Sequence, residues 1–155
     1  MNYWLMKSEP STFGIDDLAN APRKSTAWDG IRNYQVRNML RDQIRKGDLA
    51  FFYHSSCAAP GITGIMKVSR EAYPDSTAFE PRNPHFDPHG TPAKPRWYAV
   101  DMTLVERFKQ PITLTELRRH AALDDMLILH RGNRLSITPV SAKQWFHILK
   151  LVTVT

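Results

Sequence analysis

The chain has 155 residues, of which 42% are hydrophobic and 23% charged, a composition typical of one globular domain. A formal net charge of +6 favours a polyanionic partner. No apolar run reaches the roughly 18 residues that a membrane span needs, and the single cysteine, Cys57, excludes an intramolecular disulfide. The segment Met1–Lys7 has no basic leader, so we expect no signal peptide, no membrane partner and a cytoplasmic location.

The N-terminal part of the chain predicts a strand followed by short polar and helical segments. The expected elements are a strand at Tyr3–Met6, a polar turn at Ser8–Ser11, a helical turn at Phe13–Leu18 and a loop at Asn20–Ala27. Polar side chains directly after a buried strand lie at the end of a sheet, where ligands of sheet-based folds collect. Ser8 and Glu9 are therefore candidate site residues, although a simple polar turn explains them equally well.

The stretch Trp28–Arg37 combines aromatic, turn-forming and basic residues within ten positions. Asp29-Gly30 indicates a turn, and Asn33 fits the N-cap of a following helix. A flat indole beside backbone N–H groups and guanidinium groups suits the recognition of a base and its phosphate. The alternative interpretation places Trp28 in the core and the arginines on a solvated helix face.

The segment Tyr34–Lys46 is predicted to be an amphipathic helix that stops at Gly47. Its apolar stripe consists of Val36, Met39, Leu40 and Ile44. Another face presents Arg37, Arg41 and Arg45 at intervals of four residues. This face is either a solvated surface or a ridge that contacts phosphates.

The central segments predict strands and one long loop. Asp48–Tyr53 is apolar on both faces, which is typical of a central strand, and Gly61–Val68 predicts a second strand. Tyr73–Pro95 contains six of the eleven prolines. Loops of this length in a compact domain are uncommon and tend to be functional or mobile, so we predict a surface flap. A flap of this kind could alternatively bind a protein.

The C-terminal third predicts short elements of both kinds. They are a strand at Arg96–Phe108, a capping box at Thr113–Glu116 that opens a helix through Arg119, a turn or helix at Asp124–His130, a strand at Leu135–Val140 and a second capping box at Ser141–Gln144 before a helix. Strands with short helices between and beside them predict one α+β domain around a curved or closed sheet.

Signals for a metal site are weak. His85 and His89 have the spacing of helical metal ligands, but Pro88 excludes a regular helix and no third ligand is evident nearby. We therefore expect neither a metal ion nor another cofactor.

Signals for catalysis are also weak. Glu9, His54 and Ser55 could serve a small nucleotide-directed enzyme. Neighbouring residues on a strand point to opposite faces, however, which gives His54 and Ser55 a poor geometry for a catalytic pair. The chain also lacks a Gly-x-Ser-x-Gly elbow and a Gly-rich phosphate loop. We expect no enzymatic activity.

Several motifs together resemble those of the EVE domain family across residues 1–155. They are Tyr3–Pro10, Trp28–Asn38 and Lys46–Ser55, with shorter matches at Pro60–Ile62, Tyr73–Asp75, Pro95–Trp97 and Arg134–Val140. The resemblance implies a single PUA-like domain, which is a small, mostly antiparallel β-barrel with flanking helices. The fold is similar to that of YTH domains, which hold a methylated base in an aromatic pocket.

The same resemblance implies a binding module for a modified nucleobase, chiefly a modified cytosine in DNA, with a methylated base in RNA as the alternative. The implied pocket consists of Ser8, Glu9, Trp28, Gly30, Asn33, Tyr53, His54, Ser55, Arg134, Leu135 and Ser136. We expect Trp28 to stack on the base, and the flanking phosphates to contact Arg32, Arg37 and Arg41. Ser56–Ala59 departs from the polar residue that the family pattern has after His-Ser. We expect a monomer.

Overall fold

The structure, a computed structural model, describes residues 1–152 as a six-stranded sheet with helices on both faces. The strands are β1 (Tyr3–Ser8), β2 (Ser25–Trp28), β3 (Leu49–His54), β4 (Gly61–Pro74), β5 (Tyr98–Thr113) and β6 (Ile137–Val140). The α-helices are α1 (Pro10–Phe13), α2 (Ile15–Asn20), α3 (Tyr34–Asp42), α4 (Leu114–Leu117) and α5 (Ala142–Leu149). Short 3₁₀ helices occupy Pro22–Lys24, Ser76–Phe79, Ala121–Leu123 and Leu127–Leu129.

The strands lie in the order β2-β5-β4-β3-β1-β6. β1 runs parallel to β3, and the other four pairings are antiparallel. The predicted α+β class and the mostly antiparallel sheet are therefore confirmed. Within residues 1–152 the pairing ends at β2 on one side and β6 on the other, so the strands do not form the closed barrel that the resemblance implies.

Each face of the sheet has its own hydrophobic core because side chains alternate along the strands. Trp4 and Met6 of β1 pack with α2 and α3 on one face. Leu5 of the same strand packs with α4 and α5 on the other. Both faces are covered, which explains why β3 is apolar up to its last residue, His54. We call these faces the α3 face and the α5 face.

Helix α3 is shorter than the predicted Tyr34–Lys46, because the chain leaves the helix after Asp42. The buried carboxylate of Asp48 causes this early end. It accepts hydrogen bonds from the backbone N–H of Arg45 and the indole Nε1–H of Trp4, both at 3.0 Å. Gly47 completes the turn with a φ of +94°.

Tertiary pairing also changes several other predicted boundaries. The end of the predicted loop Asn20–Ala27 becomes β2, because residues 25–28 pair with β5. β4 and β5 extend beyond the predicted Gly61–Val68 and Arg96–Phe108 as one long hairpin. The predicted flap is the connection between these two strands, at residues 75–97. We call this connection the flap.

The N-caps predicted at Thr113 and Ser141 are both present, and the first of the two helices is shorter than predicted. Thr113 caps α4, which ends two residues before the predicted Arg119. The Ser141 capping box is present in full at the start of α5. None of the helices within residues 1–152 is long and apolar enough to cross a membrane. The last three positions of the predicted domain 1–155 lie outside the described residues.

Candidate functional site

A cavity of about 660 Å³ opens where the ends of β1 and β2 meet, and we call it the Trp28 cavity. Its walls are formed by Lys7, Ser8, Glu9, Thr12 and Phe13 from the first strand and α1, by Thr26, Ala27, Trp28, Asp29, Gly30 and Ile31 from β2 and the following turn, and by His85 from the flap. The volume lies within the roughly 300–1,000 Å³ of small-molecule sites.

Trp28 belongs to both the cavity and the core. The residue is 8% exposed, and its ring meets the Phe52 ring edge-on at a centroid distance of 5.5 Å. It is therefore a core residue with one part at the cavity wall. The alternative interpretation, which places Trp28 in the core, is confirmed, and its role in binding a base stays a prediction.

The turn after Trp28 is tied to the flap by the buried carboxylate of Asp75. Gly30 adopts a φ of +77°, and its backbone N–H donates to Asp75 Oδ2 at 2.8 Å. Thr77 donates to Oδ1 through its N–H at 2.9 Å and its hydroxyl at 2.6 Å. Burial alone would raise the pKa of Asp75, but the hydrogen bonds from Thr77, Gly30 and Arg32 outweigh it and lower the pKa below its ordinary value.

Arg32 is part of this tie. Its Nη1 donates to Asp75 Oδ2 at 3.0 Å, and its Nε and Nη2 donate to the carbonyl of His85 at 3.0 and 2.6 Å. Thr77 Oγ1 and the carbonyl of Ile31 accept further hydrogen bonds from the same guanidinium. The expectation that Arg32 contacts phosphate is therefore corrected, because its donors hold the flap against the cavity wall.

The cavity wall contains charges without ionic partners among residues 1–152. Desolvation and, second, the negative charge of Asp75 raise the pKa of Asp29. Desolvation also lowers the pKa of Lys7. No salt bridge of the described chain includes Lys7, Glu9 or Asp29. These groups remain available to a bound molecule.

The first predicted motif contributes two residues to the cavity. Ser8 Oγ donates to the carbonyl of Phe13 at 2.6 Å, which fixes α1 against the end of β1. A ligand can therefore use the Ser8 oxygen only as an acceptor. Glu9 is exposed at the wall.

Seven of the predicted pocket residues do not line the cavity: Asn33, Tyr53, His54, Ser55, Arg134, Leu135 and Ser136. Asn33 Oδ1 accepts from the N–H of Val36 at 3.0 Å and so caps α3. Tyr53 is buried on the α5 face. Arg134 is exposed, while Leu135 packs against the α3-face core. The carbonyl of Ser136 accepts from the N–H of Lys7 at 2.8 Å.

His54 and Ser55 hold backbone segments next to the cavity wall. His54 Nε2 accepts from the N–H of Ile15 at 3.1 Å, and desolvation lowers the pKa of His54, which favours the neutral ring that this bond requires. The N–H of Ser55 donates to the carbonyl of Ser8 at 3.0 Å. These roles are structural, and the structure does not bring His54 and Ser55 to the cavity with Glu9 as an enzymatic group would require.

The other predicted phosphate contacts, Arg37 and Arg41, lie along α3 outside the cavity wall. Arg41 is exposed and paired with Asp42 at 2.8 Å. Arg37 donates to the carbonyl of Arg96 at 2.7 Å. Within residues 1–152 no group of three or more His, Cys, Asp or Glu side chains has the arrangement of a metal site.

Sequence reasoning missed Asp75 as the hydrogen-bond centre and Lys7, Asp29 and His85 as wall residues. Asp29 stood inside the key stretch and His85 was considered only as a metal ligand. One sequence signal could have identified Asp75: it is an aspartate near the start of the long loop, a residue type that favours helix N-caps. In the structure it caps the 3₁₀ helix Ser76–Phe79.

The fold and the site define a small α+β sheet domain with a partly polar cavity beside a buried tryptophan. An EVE domain model matches residues 2–151, and the chain belongs to the EVE domain family. Human thymocyte nuclear protein 1 is 42% identical over an aligned length of 167 residues. The alignment covers 97% of this chain and 73% of the human protein.

Solved structures show the same relationship. A structure of human THYN1 protein in complex with DNA that contains 5-methylcytosine has a TM-score of 0.92 and 41% identity, and the match covers 100% of this chain and 99% of that one. A crystal structure of a protein from Pseudomonas syringae has a TM-score of 0.91 and 46% identity, with coverage of 97% and 99%.

Proposed function

We propose that this protein is a non-catalytic module that recognises a modified nucleobase, a modified cytosine in DNA, in the Trp28 cavity. The observation that carries the proposal is a cavity lined by Trp28 together with Lys7, Glu9 and Asp29, charged residues that form no salt bridge within residues 1–152. The human relative solved with 5-methylcytosine-containing DNA supports it. The net charge of +6 suits a nucleic acid partner.

The chemistry of the wall favours an amino-bearing pyrimidine. Stacking on Trp28 stabilises any base by on the order of 1–3 kcal/mol and therefore does not select among bases. The carboxylates of Asp29 and Glu9 accept hydrogen bonds, as the 4-amino group of cytosine requires. Thymine has the same 5-methyl group as 5-methylcytosine but presents an acceptor at position 4, which a carboxylate repels.

The remaining parts of the proposal extend the predicted site. Ser8, Glu9, Trp28 and Gly30 contact the base directly, whereas His54 and Ser55 hold the neighbouring backbone through the N–H of Ile15 and the carbonyl of Ser8. Arg37 and Arg41 attract the flanking phosphates. Three expectations stay predictions: a PUA-like fold, a monomeric state and a cytoplasmic location. The alternative ligand is a methylated base in RNA.

The test fills the cavity without removing a core side chain. Ala27 is exposed in the cavity wall, so Ala27→Trp places an indole in the void, and Ala58→Trp is the matched exposed control. Binding is measured by fluorescence polarisation with DNA and RNA oligonucleotides containing 5-methylcytosine, cytosine or thymine. We expect the parent protein and Ala58→Trp to prefer 5-methylcytosine DNA, and Ala27→Trp to lose that preference. Equal preference in all three proteins would contradict the proposal.

A further inference from the structure

Two aromatic rings and two guanidinium groups form a stack in which Tyr34 is exposed and Trp97 is buried. Tyr34 and Trp97 have ring centroids 4.8 Å apart with planes tilted by 31°. The guanidinium of Arg37 lies 4.9 Å from the Tyr34 centroid, and that of Arg32 lies 5.3 Å from the Trp97 centroid. We call this group the Tyr34 stack.

Hydrogen bonds of Trp97 and of Arg37 hold the stack in place. Trp97 Nε1 donates to Asp87 Oδ2 at 2.7 Å, and Arg37 donates to Asn38 Oδ1 at 2.9 Å and to the carbonyl of Arg96 at 2.7 Å. Tyr34 nevertheless remains 52% exposed. An exposed aromatic ring on a rigid support loses little conformational freedom when a ligand packs against it.

The stack is continuous with the cavity. Arg32 contacts Trp97 within the stack and Asp75 beneath the cavity turn, and Asp75 accepts from the N–H of Gly30 in the cavity wall. These contacts link the Tyr34 stack to the cavity wall through Arg32 and Asp75.

The charge of the stack fits a nucleic acid strand. Arg37 Nη2 has no hydrogen-bond partner among the described residues, so it can donate to a phosphate oxygen. Exposed Arg96, Arg82 and Lys94 add positive charge on the adjoining flap segment. Aromatic rings and guanidinium planes stack on bases without sequence preference.

We propose that the Tyr34 stack is a second nucleotide subsite, which packs against the base next to the modified one while Arg37 binds the phosphate between them. This inference rests on the proposed function for the location of the modified base. It assigns the stack a role in affinity and leaves base selectivity to the cavity.

The experiment compares a probe that fills only the cavity with one that reaches the stack. The probes are 5-methyl-2′-deoxycytidine 5′-monophosphate and single-stranded heptanucleotides with a central 5-methylcytosine or cytosine. The variants are Tyr34→Ala and Tyr34→Phe, and Phe146→Ala is the control because Phe146 is 53% exposed on α5. Binding is measured by calorimetry.

We expect Tyr34→Ala to bind the methylated heptanucleotide about 10-fold more weakly and the mononucleotide within about twofold of the parent. Tyr34→Phe and Phe146→Ala should match the parent on both probes. Unchanged binding of the heptanucleotide by Tyr34→Ala overturns the subsite. An equal loss of affinity for both probes also overturns it, because the stack then only holds the flap in place. If the parent binds both heptanucleotides alike, the cavity proposal fails, and a loss by Tyr34→Ala on both still supports the stack.

Discussion

The Asp75 carboxylate offers the sharpest test of how the flap is joined to the cavity. The side chain is fully buried, and its two oxygens accept from the N–H groups of Gly30 and Thr77, the Thr77 hydroxyl and Arg32 Nη1. Asp75→Asn keeps the shape, removes the charge and replaces one acceptor oxygen by a donor. Whichever oxygen is replaced, one backbone N–H group then faces another donor.

The expected loss follows from these contacts. A buried hydrogen bond left unmade costs about 1–3 kcal/mol, and breaking a buried ion pair costs about 3–5 kcal/mol. The Arg32 side chain is 23% exposed, so solvent partly compensates its loss, and we expect a decrease of about 3–4 kcal/mol in the free energy of unfolding. Against a typical total of about 5–15 kcal/mol, the variant should remain folded.

Urea unfolding of the parent and of Asp75→Asn checks this value. The carboxylate pKa is lower in the folded protein than in the unfolded chain. Its contribution is therefore complete above about pH 4 and is lost as the pH falls through the folded pKa. The stability gap should be constant from pH 5 to 8 and shrink below pH 4. Asp42→Asn, in an exposed pair with Arg41, is the control and should have no measurable effect. Equal urea midpoints, or a gap that widens in acid, would refute the reasoning.

Three further predictions concern the bound nucleic acid. Asp29→Asn should reduce the preference for 5-methylcytosine over thymine, because an amide can donate to position 4; an unchanged ratio in competition binding would count against this role. Arg41→Ala should weaken methylated and plain DNA equally and lower the salt slope of log K by about one, and a change in selectivity would contradict a phosphate contact. Trp28→Ala should abolish the modified-base preference and also lower stability by about 3–5 kcal/mol, as measured by urea unfolding, because most of the ring lies in the core; binding equal to that of the parent would exclude stacking.

Short-range physics explains which features were predictable. The apolar run of β1, the apolar stripe of α3 and the caps at Asn33, Thr113 and Ser141 depend on neighbours within about four residues. The element types were therefore largely correct. Their ends were wrong where a distant partner intervened, as when Asp48 terminated α3 and when β5 drew residues 25–28 into the sheet.

The candidate site divides in the same way. The amino-acid sequence by itself determined that Ser8 and Glu9 follow a strand and that Trp28 precedes a turn, because strand, turn and cap preferences are local. Only the tertiary structure decided that Asp75 meets Gly30 from 45 positions away and that His85 closes the wall. It also separated Tyr53 from the cavity, because consecutive residues of one strand face opposite cores. The physical reason is that β5 pairs with both β2 and β4 and so brings the segments that follow Trp28 and Pro74 together, and this pairing joins strands that are far apart in the chain.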